Sequence, residues 1–277
     1  MTNKNSRIVF FRNDDVNVLD DTFIKFVESF IAHNIPLVLA VEPANVTQET
    51  VQYLLEAKNS YPNLIEIVQH GWSHAVHDRG EFGGSRGYKD QWDDICRGLD
   101  VMRNRFGEAF FPAMTFPFGQ YNEHTIRILN ELDYLVFSSK FNSSFSAQVF
   151  YWFGRLSHRK RMFDRRVSYH LGRYPGSNLE EISTSLSPIK KYVGPHGGTE
   201  CVFESLETLK TQYLISTKRT PVVGIVLHHR YHAGPERMSL LVQFMESLAA
   251  LNDVRFMTLH DIYGVLQPVK ASLQRNA

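Results

Sequence analysis

Two histidines four residues apart, His70 and His74, are the clearest sign of chemistry in this sequence. They follow the apolar run at residues 64–68, just past the end of a predicted strand. Two imidazoles at this spacing can meet on one face of a helical turn and bind the same metal ion. In a chain with 12 histidines such a pair also falls on a polar loop by chance, so the spacing alone is weak evidence. A metal site needs a third ligand from another part of the chain.

Two adjacent carboxylates, Asp14 and Asp15, follow the apolar run at residues 8–11 and could supply that ligand. One carboxylate could bind a metal while its neighbour accepts a proton, because a metal-bound carboxylate is a poor base. One carboxylate and two histidines leave positions open on a zinc-like ion, as a catalytic site requires. Water at an open position loses a proton more easily. The structural alternative is that the Asp-Asp pair caps a turn, which an isolated pair does more often.

Another histidine, His228, follows the apolar run at residues 221–227. A histidine across a pocket from a base can protonate a leaving group. The alternative is a hydrogen-bonded histidine at a strand end, with His229 and His232 on the solvent side. Similarly, the turn Pro117-Phe118-Gly119 could belong to a site, or its Phe118 could be part of the core.

Strands and helices are predicted to alternate along the chain, because apolar runs alternate with stripes at helical spacing. The predicted strands cover residues 8–11, 36–41, 64–68, 113–116, 134–137, 221–227 and 254–258. The predicted helices cover about 22–33, 47–58, 88–106, 122–132, 201–213, 235–251 and 261–266. About seven such units predict an α/β fold with a parallel sheet, either a closed barrel or an open doubly wound sheet.

In a parallel sheet the functional groups collect at the carboxyl ends of the strands. Asp14 and Asp15, His70 and His74, the turn at 117–119 and His228 all follow predicted strands. We therefore expect them on one rim of the sheet. The coincidence of four such positions is more specific than any one of them.

The least periodic part of the chain is residues 140–198, which we interpret as an irregular excursion from a single domain over 1–277. It holds a basic cluster at 158–161 and 165–166, and a glycine-rich turn at 194–198. A solvated connecting segment with a few short strands is favoured over a phosphate-binding patch.

The composition limits the partners and the compartment. Thirty Lys and Arg residues oppose 29 Asp and Glu residues, so the net charge of +1 gives no bulk attraction to nucleic acid. The two cysteines, Cys96 and Cys201, give neither a disulfide framework nor a cysteine zinc site. With no signal-peptide core and no apolar run long enough to span a membrane, we expect a cytoplasmic protein. The oligomeric state is left open.

The order of these motifs resembles the NodB-type polysaccharide deacetylases of carbohydrate esterase family 4. The shared features are Asp-Asp after the first strand, two histidines four apart after the third, a Pro-aromatic-Gly turn after the fourth, and Leu-His after a late strand. The resemblance covers about residues 11–266, almost the whole chain. It is nearest to divergent intracellular members of surface-polysaccharide biosynthesis, such as that of O-antigen.

The resemblance implies a distorted (β/α)7 barrel and the hydrolysis of an N- or O-acetyl group from a sugar. The residues it implies are Asp14 as general base, Asp15, His70 and His74 as metal ligands, Leu227 as an apolar buttress and His228 as general acid. The ion would be zinc, although cobalt, nickel, manganese and iron are compatible with these ligands. The residues predicted to bind substrate are Trp72, Phe118, Tyr231 and Arg12; the three aromatic side chains have flat faces that suit a sugar.

Three segments depart from the family pattern. Arg12-Asn13-Asp14-Asp15-Val16 stands where Thr-Phe-Asp-Asp-Gly is usual, and Gly71 stands where a serine or threonine is usual. The arginine that usually steadies the base is absent from residues 110–116, and Arg12, Arg86 or Arg230 could replace it. The Asp-x-x-Asp-Trp segment that usually orients the general acid is absent at residues 137–140.

The leading hypothesis is therefore a metal-dependent hydrolase that removes an acyl group from a sugar of a surface-polysaccharide precursor. One alternative is a carbohydrate-binding or scaffold protein that keeps the barrel without catalysis, motivated by the absent arginine and Asp-x-x-Asp-Trp segment. Another is hydrolysis of a non-sugar amide at the same metal site.

Overall fold

The computed structural model describes residues 6–193 and 200–274, and their side chains as far as residue 267. The glycine-rich turn predicted at 194–198 lies outside the described residues. Within these ranges no helix is both long enough and apolar enough to cross a membrane.

Thirteen strands are described, and most of their side chains in the central sheet are buried. They are β1 Arg7–Val16, β2 Leu37–Val41, β3 Ile65–His70, β4 Phe110–Thr115, β5 Val136–Ser138, β6 Arg161–Met162, β7 Arg165–Arg166, β8 Gly172–Arg173, β9 Glu180–Glu181, β10 Ile189–Val193, β11 Glu200–Phe203, β12 Val222–Leu227 and β13 Val254–Phe256. Continuous apolar runs such as the fully buried β2 are typical of strands covered on both faces.

Eight α-helices are described between these strands. They are α1 Asp21–Ala32, α2 Gln48–Ser60, α3 Tyr88–Phe106, α4 Glu123–Glu131, α5 Phe145–Leu156, α6 Leu206–Thr217, α7 Pro235–Ala249 and α8 Leu259–Gln274. Several begin at a side-chain cap, because a polar oxygen can accept a bond from a free N–H of the first turn. In α1 the cap is Asp20, which accepts from the Phe23 N–H at 2.7 Å.

The main sheet has nine strands in the order β12-β1-β2-β3-β4-β5-β9-β8, with β13 also paired to β1. Its pairs are parallel except for β8 with β9. Two parallel bridges, Lys140 with Thr184 and Leu186 with Ile225, join the segment after β9 to the chain just past β5 and to β12 at the edge of the sheet. The sheet therefore curls into a distorted barrel, and the predicted (β/α)7 fold is confirmed.

The interpretation of residues 140–198 as a mere excursion is wrong in one respect, because residues 180–186 close the barrel. The Thr184 N–H donates to the Ser139 carbonyl at 2.9 Å, and the Leu186 N–H donates to the Gly224 carbonyl at 3.0 Å. These bonds connect β5 to β12 through a segment of the excursion. The excursion also contains α5, which the sequence pattern did not predict, and the hairpin of β6 and β7, where a few short strands were expected.

The predicted helix at 201–213 also needs correction. Residues 200–203 form β11, which pairs antiparallel with β10, and the helix begins only at Leu206. Its start is fixed by Ser205, whose side chain accepts from the Thr208 N–H at 3.2 Å. The last helix begins near its predicted start but continues to Gln274.

Candidate metal centre

Three predicted ligands meet at the carboxyl ends of β1 and β3. Asp15 lies near the end of β1, His70 ends β3, and His74 lies in the loop that follows. Oδ1 of Asp15 lies 3.2 Å from Nε2 of His70 and 3.2 Å from Nε2 of His74. One ligand atom from each residue lies within 4.8 Å of the others. Asp15 and His74 both have φ near +60°, in the left-handed region, so the backbone turns sharply to bring these two side chains together.

The donor set fits a divalent ion. Oδ1 of Asp15 is buried and has no hydrogen-bond partner among the described residues. Burial of an unsatisfied carboxylate oxygen is costly, and a cation in reach of both imidazoles would remove that cost. The other oxygen, Oδ2, is occupied by Nη2 of Arg230 at 3.1 Å. Burial would raise the pKa of Asp15, but the imidazoles of His228, His70 and His74 lower it by more.

His70 is oriented for ligation through Nε2. Its Nδ1 lies 2.6 Å from the hydroxyl of Thr115, and that hydroxyl donates to the Gln69 carbonyl at 3.2 Å. A hydroxyl that donates elsewhere accepts from Nδ1–H, so the proton of the neutral ring is on Nδ1. A second hydrogen bond of this kind fixes the tautomer and the ring plane of a metal-binding histidine.

Glu81 holds the loop that carries His74. Its buried carboxylate accepts from the backbone N–H of Trp72 at 3.1 Å and of Ser73 at 2.7 Å. The same carboxylate explains why Gly71 stands where a hydroxyl residue is usual. A Cβ at residue 71 would lie 2.0 Å from Oε2 of Glu81 and 2.6 Å from Cγ of Pro117, and φ is +56°.

Replacing Gly71 by serine is therefore expected to lower the free energy of unfolding by about 2–4 kcal/mol, through the clash and the left-handed backbone. Urea unfolding of the purified variant measures this. Gly234→Ser is the matched control, because a Cβ there meets nothing within 4 Å and a serine suits the start of α7. Equal stability of the Gly71 variant and wild type would contradict the close packing of this loop.

Asp14 is held by Arg12, two residues earlier on β1. Nε of Arg12 donates to Oδ1 of Asp14 at 2.7 Å, and Nη2 donates to Oδ2 at 2.8 Å. Nη1 donates to the carbonyl and the hydroxyl of Ser138 at 2.9 and 2.8 Å. Both side chains are buried, so this bidentate pair fixes the carboxylate in a water-poor place. The guanidinium is committed to these partners, and Arg12 also lines the cleft described below. Its use as a substrate-binding group stays a prediction.

Of the three arginines considered as substitutes for the missing family arginine, only Arg12 reaches Asp14 among the described contacts. Arg86 instead pairs with Asp94 and donates to the Glu81 carbonyl at 2.8 Å. Arg230 pairs with Asp15. Asp14, the candidate base, is thus held by an arginine of its own strand, β1.

His228 follows β12 and lies beside the metal candidates, with Nε2 3.9 Å from Oδ2 of Asp15. Burial lowers the pKa of His228, against the opposing effect of the Asp15 and Asp14 carboxylates. Its Nδ1 lies 3.4 Å from the hydroxyl of Tyr192, where the family would provide an aspartate. Leu227, the predicted buttress, is fully buried.

Asn13 anchors the segment that carries His228, and sequence reasoning missed it. Its side-chain Oδ1 accepts from the backbone N–H of His229 at 2.7 Å, and its Nδ2 lies 3.0 Å from Nδ1 of His229. His229 and His232 are buried, not on the solvent side as one interpretation had it. In the sequence Asn13 stands in the polar run at residues 12–15, after the predicted strand at 8–11, and nothing there distinguishes it.

A cleft of about 650 Å³ opens over these residues. Phe118 lines it and is 39% exposed, with its ring 4.5 Å from that of His74. Two residues predicted to bind substrate do not line the cleft. Trp72 packs against the core under the guanidinium of Arg97, and Tyr231 is buried beside Ile189. The cleft lining therefore gives no support to the prediction that Trp72 and Tyr231 contact a substrate, and it stays a prediction.

One wall of the cleft is rich in hydroxyls and amines, and most of it comes from the excursion. Its lining includes Ser139, Lys140, Thr184, Ser185, Ser187 and Lys190. The hydroxyl of Ser185 is buried without a hydrogen-bond partner among the described residues. This wall can donate hydrogen bonds to a polar ligand.

Comparison with known proteins identifies the fold. No family model matches the sequence, and no curated protein matches it. A Mycobacterium smegmatis protein assigned to the polysaccharide deacetylases aligns with a TM-score of 0.66 and 15% identity, over 96% of this chain and 92% of that one. The allantoinase PuuE aligns at 0.63 and 15%, over 94% and 90%. A family 4 acetyl xylan esterase from Clostridium thermocellum, solved with cobalt, aligns at 0.55 and 12%, over 94% and 91%.

Proposed function

We propose that the protein is a metal-dependent hydrolase that removes an N- or O-acyl group, with acetyl as the leading candidate, from a sugar. The observation that carries the proposal is the convergence of Asp15, His70 and His74 beside an Asp14 carboxylate held by Arg12. Two separate stretches of the chain, residues 12–15 and residues 70–74, contribute to this arrangement.

The proposed roles divide the two carboxylates. Asp15, His70 and His74 would hold a divalent ion, zinc in the first instance. When bound, such an ion polarises a carbonyl and makes nearby water easier to deprotonate. Asp14 accepts the proton of the attacking water, and Arg12 keeps its carboxylate aimed into the cleft.

His228 is proposed to donate a proton to the departing amine or alcohol. Its Nε2 lies 3.9 Å from Oδ2 of Asp15, and the side chain lines the same cleft as Phe118. Asn13 and Tyr192 act as positioning residues, since they fix the backbone after His228 and contact its Nδ1.

A sugar is the proposed substrate because of the cleft lining. Phe118 offers an apolar face near His74, and the hydroxyl and amine wall offers donors to the many oxygens of a sugar. The proposal draws further support from neighbours of this fold assigned to the polysaccharide deacetylases. A cobalt ion in the acetyl xylan esterase supports a divalent metal.

We further propose that the chain acts as one domain on a surface-polysaccharide precursor, of the O-antigen type, in the cytoplasm. Free thiols at Cys96 and Cys201 support a reducing compartment.

The test is acyl release by the zinc-loaded protein from a panel of N-acetyl, N-formyl and O-acetyl sugars. We expect acetate or formate from at least one member, lost on chelation and restored by zinc. His70→Ala should be inactive, whereas His77→Ala, an exposed histidine of the same loop, should be active. Sugar binding without acyl release would favour a carbohydrate-binding protein instead.

A second candidate is hydrolysis of a non-sugar amide at the same site. The observation in its favour is the alignment with an allantoinase at nearly the same TM-score as the deacetylase. Adding allantoin and simple cyclic amides to the panel separates the two. Metal-dependent cleavage of these amides, with no release from any sugar, would replace the sugar proposal.

A further inference from the structure

Helix α5 carries apolar residues on two faces, and only one of them packs against the protein. Tyr151 and Gly154 are buried, and Ala147 and Phe150 pack partly against Phe141 and Val167. The anchor is tight, since a Cβ at Gly154 would lie 2.3 Å from Cγ2 of Val167. This packed face alone therefore holds the helix against the protein.

The other face of α5 is apolar and exposed. Its residues are Phe145 at 72%, Val149 at 38%, Trp152 at 54%, Phe153 at 52% and Leu156 at 59% exposure. At the helical period of 3.6 residues these positions fall on one side of the helix, so they form one continuous strip. A strip of large apolar side chains in water is typical of a binding surface.

The hairpin of β6 and β7 adds one more aromatic. Phe163 is 86% exposed at its tip. Phe163 and Asp164 both have positive φ, of 47° and 61°, as in a two-residue type I′ turn. Such turns favour Asn and Gly, so a phenylalanine held there is strained and is displayed outward.

Positive charge is concentrated in the stretch of chain that joins the end of α5 to the hairpin. Residues 155–166 contain six Lys and Arg residues and one Asp, in a chain whose net charge is only +1. Arg161 pairs with Asp164, but Arg159 and Arg165 are exposed with no carboxylate within ion-pair distance in the described structure. The balanced charge of the whole chain therefore conceals a strongly basic surface. We call these exposed residues of α5 and the hairpin the aromatic–basic surface.

We propose that the aromatic–basic surface binds the face of an anionic phospholipid bilayer. Trp, Phe and Leu enter the boundary between headgroups and acyl chains, while nearby Arg and Lys attract anionic headgroups. A symmetric contact between two copies is disfavoured, because it would bring the two basic clusters together. Membrane docking goes beyond the hydrolase proposal and does not depend on it.

The first arm of the test measures binding of the whole protein to vesicles of phosphatidylcholine with and without 30% phosphatidylglycerol. We expect sedimentation with the anionic vesicles only. The double variant Trp152→Asp, Phe153→Asp should bind at least about tenfold more weakly, because two side chains lose their insertion. The matched control is Val265→Asp on α8, which is 46% exposed in wild type and should bind normally.

The second arm changes charge. Arg159→Glu with Arg165→Glu should weaken binding by at least about tenfold, and raised salt should weaken wild-type binding. Lys25→Glu with Lys89→Glu is the control, since both lysines are exposed on other helices. The proposal fails if wild type binds both vesicles equally or neither, or if the Trp152 and Phe153 variant binds like wild type. Dissociation of an oligomer by that variant, without vesicle binding by wild type, would assign the surface to a second copy.

Discussion

Asp14→Asn is expected to keep the divalent ion and to lose hydrolysis by about a hundred- to ten-thousand-fold, the usual contribution of a general base. A carboxamide cannot accept the proton of the attacking water. The metal ligands are separate side chains, and Asp15 keeps its contacts with His70 and His74. Turnover at saturating substrate and metal content per chain are measured on the same preparation.

A loss of stability is expected to accompany this change. Asparagine offers Arg12 one uncharged oxygen in place of the two carboxylate oxygens to which it donates. Thermal unfolding shows whether the variant is folded at the assay temperature. Asp14→Ala, which removes the acceptor entirely, should be no more active than the asparagine variant. Wild-type turnover in a folded, metal-loaded Asp14→Asn protein would remove Asp14 from the role of base.

Arg12→Gln is expected to be the most destabilising change near the site. It leaves the Asp14 carboxylate buried without a counter-charge, which costs about 3–5 kcal/mol when one member of a buried pair is removed. Ser138 would lose both of its bonds from Nη1 as well. Activity should fall together with stability, since no other described side chain holds Asp14. Urea unfolding and acyl release measure the two effects.

Arg12→Lys restores the charge without the bidentate geometry, so it should recover stability more than activity. The control is Arg127→Gln, which breaks the exposed pair of Arg127 with Glu131 on α4. Exposed pairs contribute about 0–1 kcal/mol, so this variant should resemble wild type. If Arg12→Gln were as stable and active as the control, Arg12 would not be the substitute for the missing arginine.

The fold could be predicted where each element had one apolar face. Helix α3 has the predicted bounds of 88–106, because its buried residues recur at helical spacing between charged residues. Helix α5 gave no such signal, since apolar residues cover both of its faces. The closing segment at 180–186 looked like a loop because it is polar. Its Glu181 is buried, but it accepts from the hydroxyls of Ser168 and Ser183, and hydrophobic periodicity does not detect that arrangement.

The candidate site could be predicted in part for a topological reason. Parallel strands end on one rim, so residues that follow the strands approach each other whatever the loops do, and Asp15, His70 and His74 meet there. The residues that hold these ligands and their loops in place depend instead on the direction of single side chains and on the path of the loops. Glu81 and Asn13 act through backbone N–H groups of distant segments, and no local pattern reveals such partners. Trp72 follows its strand too, yet it packs into the core.

The central claim is that Asp15, His70 and His74 bind a divalent ion, and metal content measured by mass spectrometry tests it most directly. After zinc loading and exhaustive dialysis, wild type and His77→Ala are expected to retain about one ion per chain. His70→Ala and Asp15→Ala, shown to be folded by circular dichroism, should retain almost none. A wild type without a retained ion, or a His70→Ala variant that retains as much as wild type, would contradict the account.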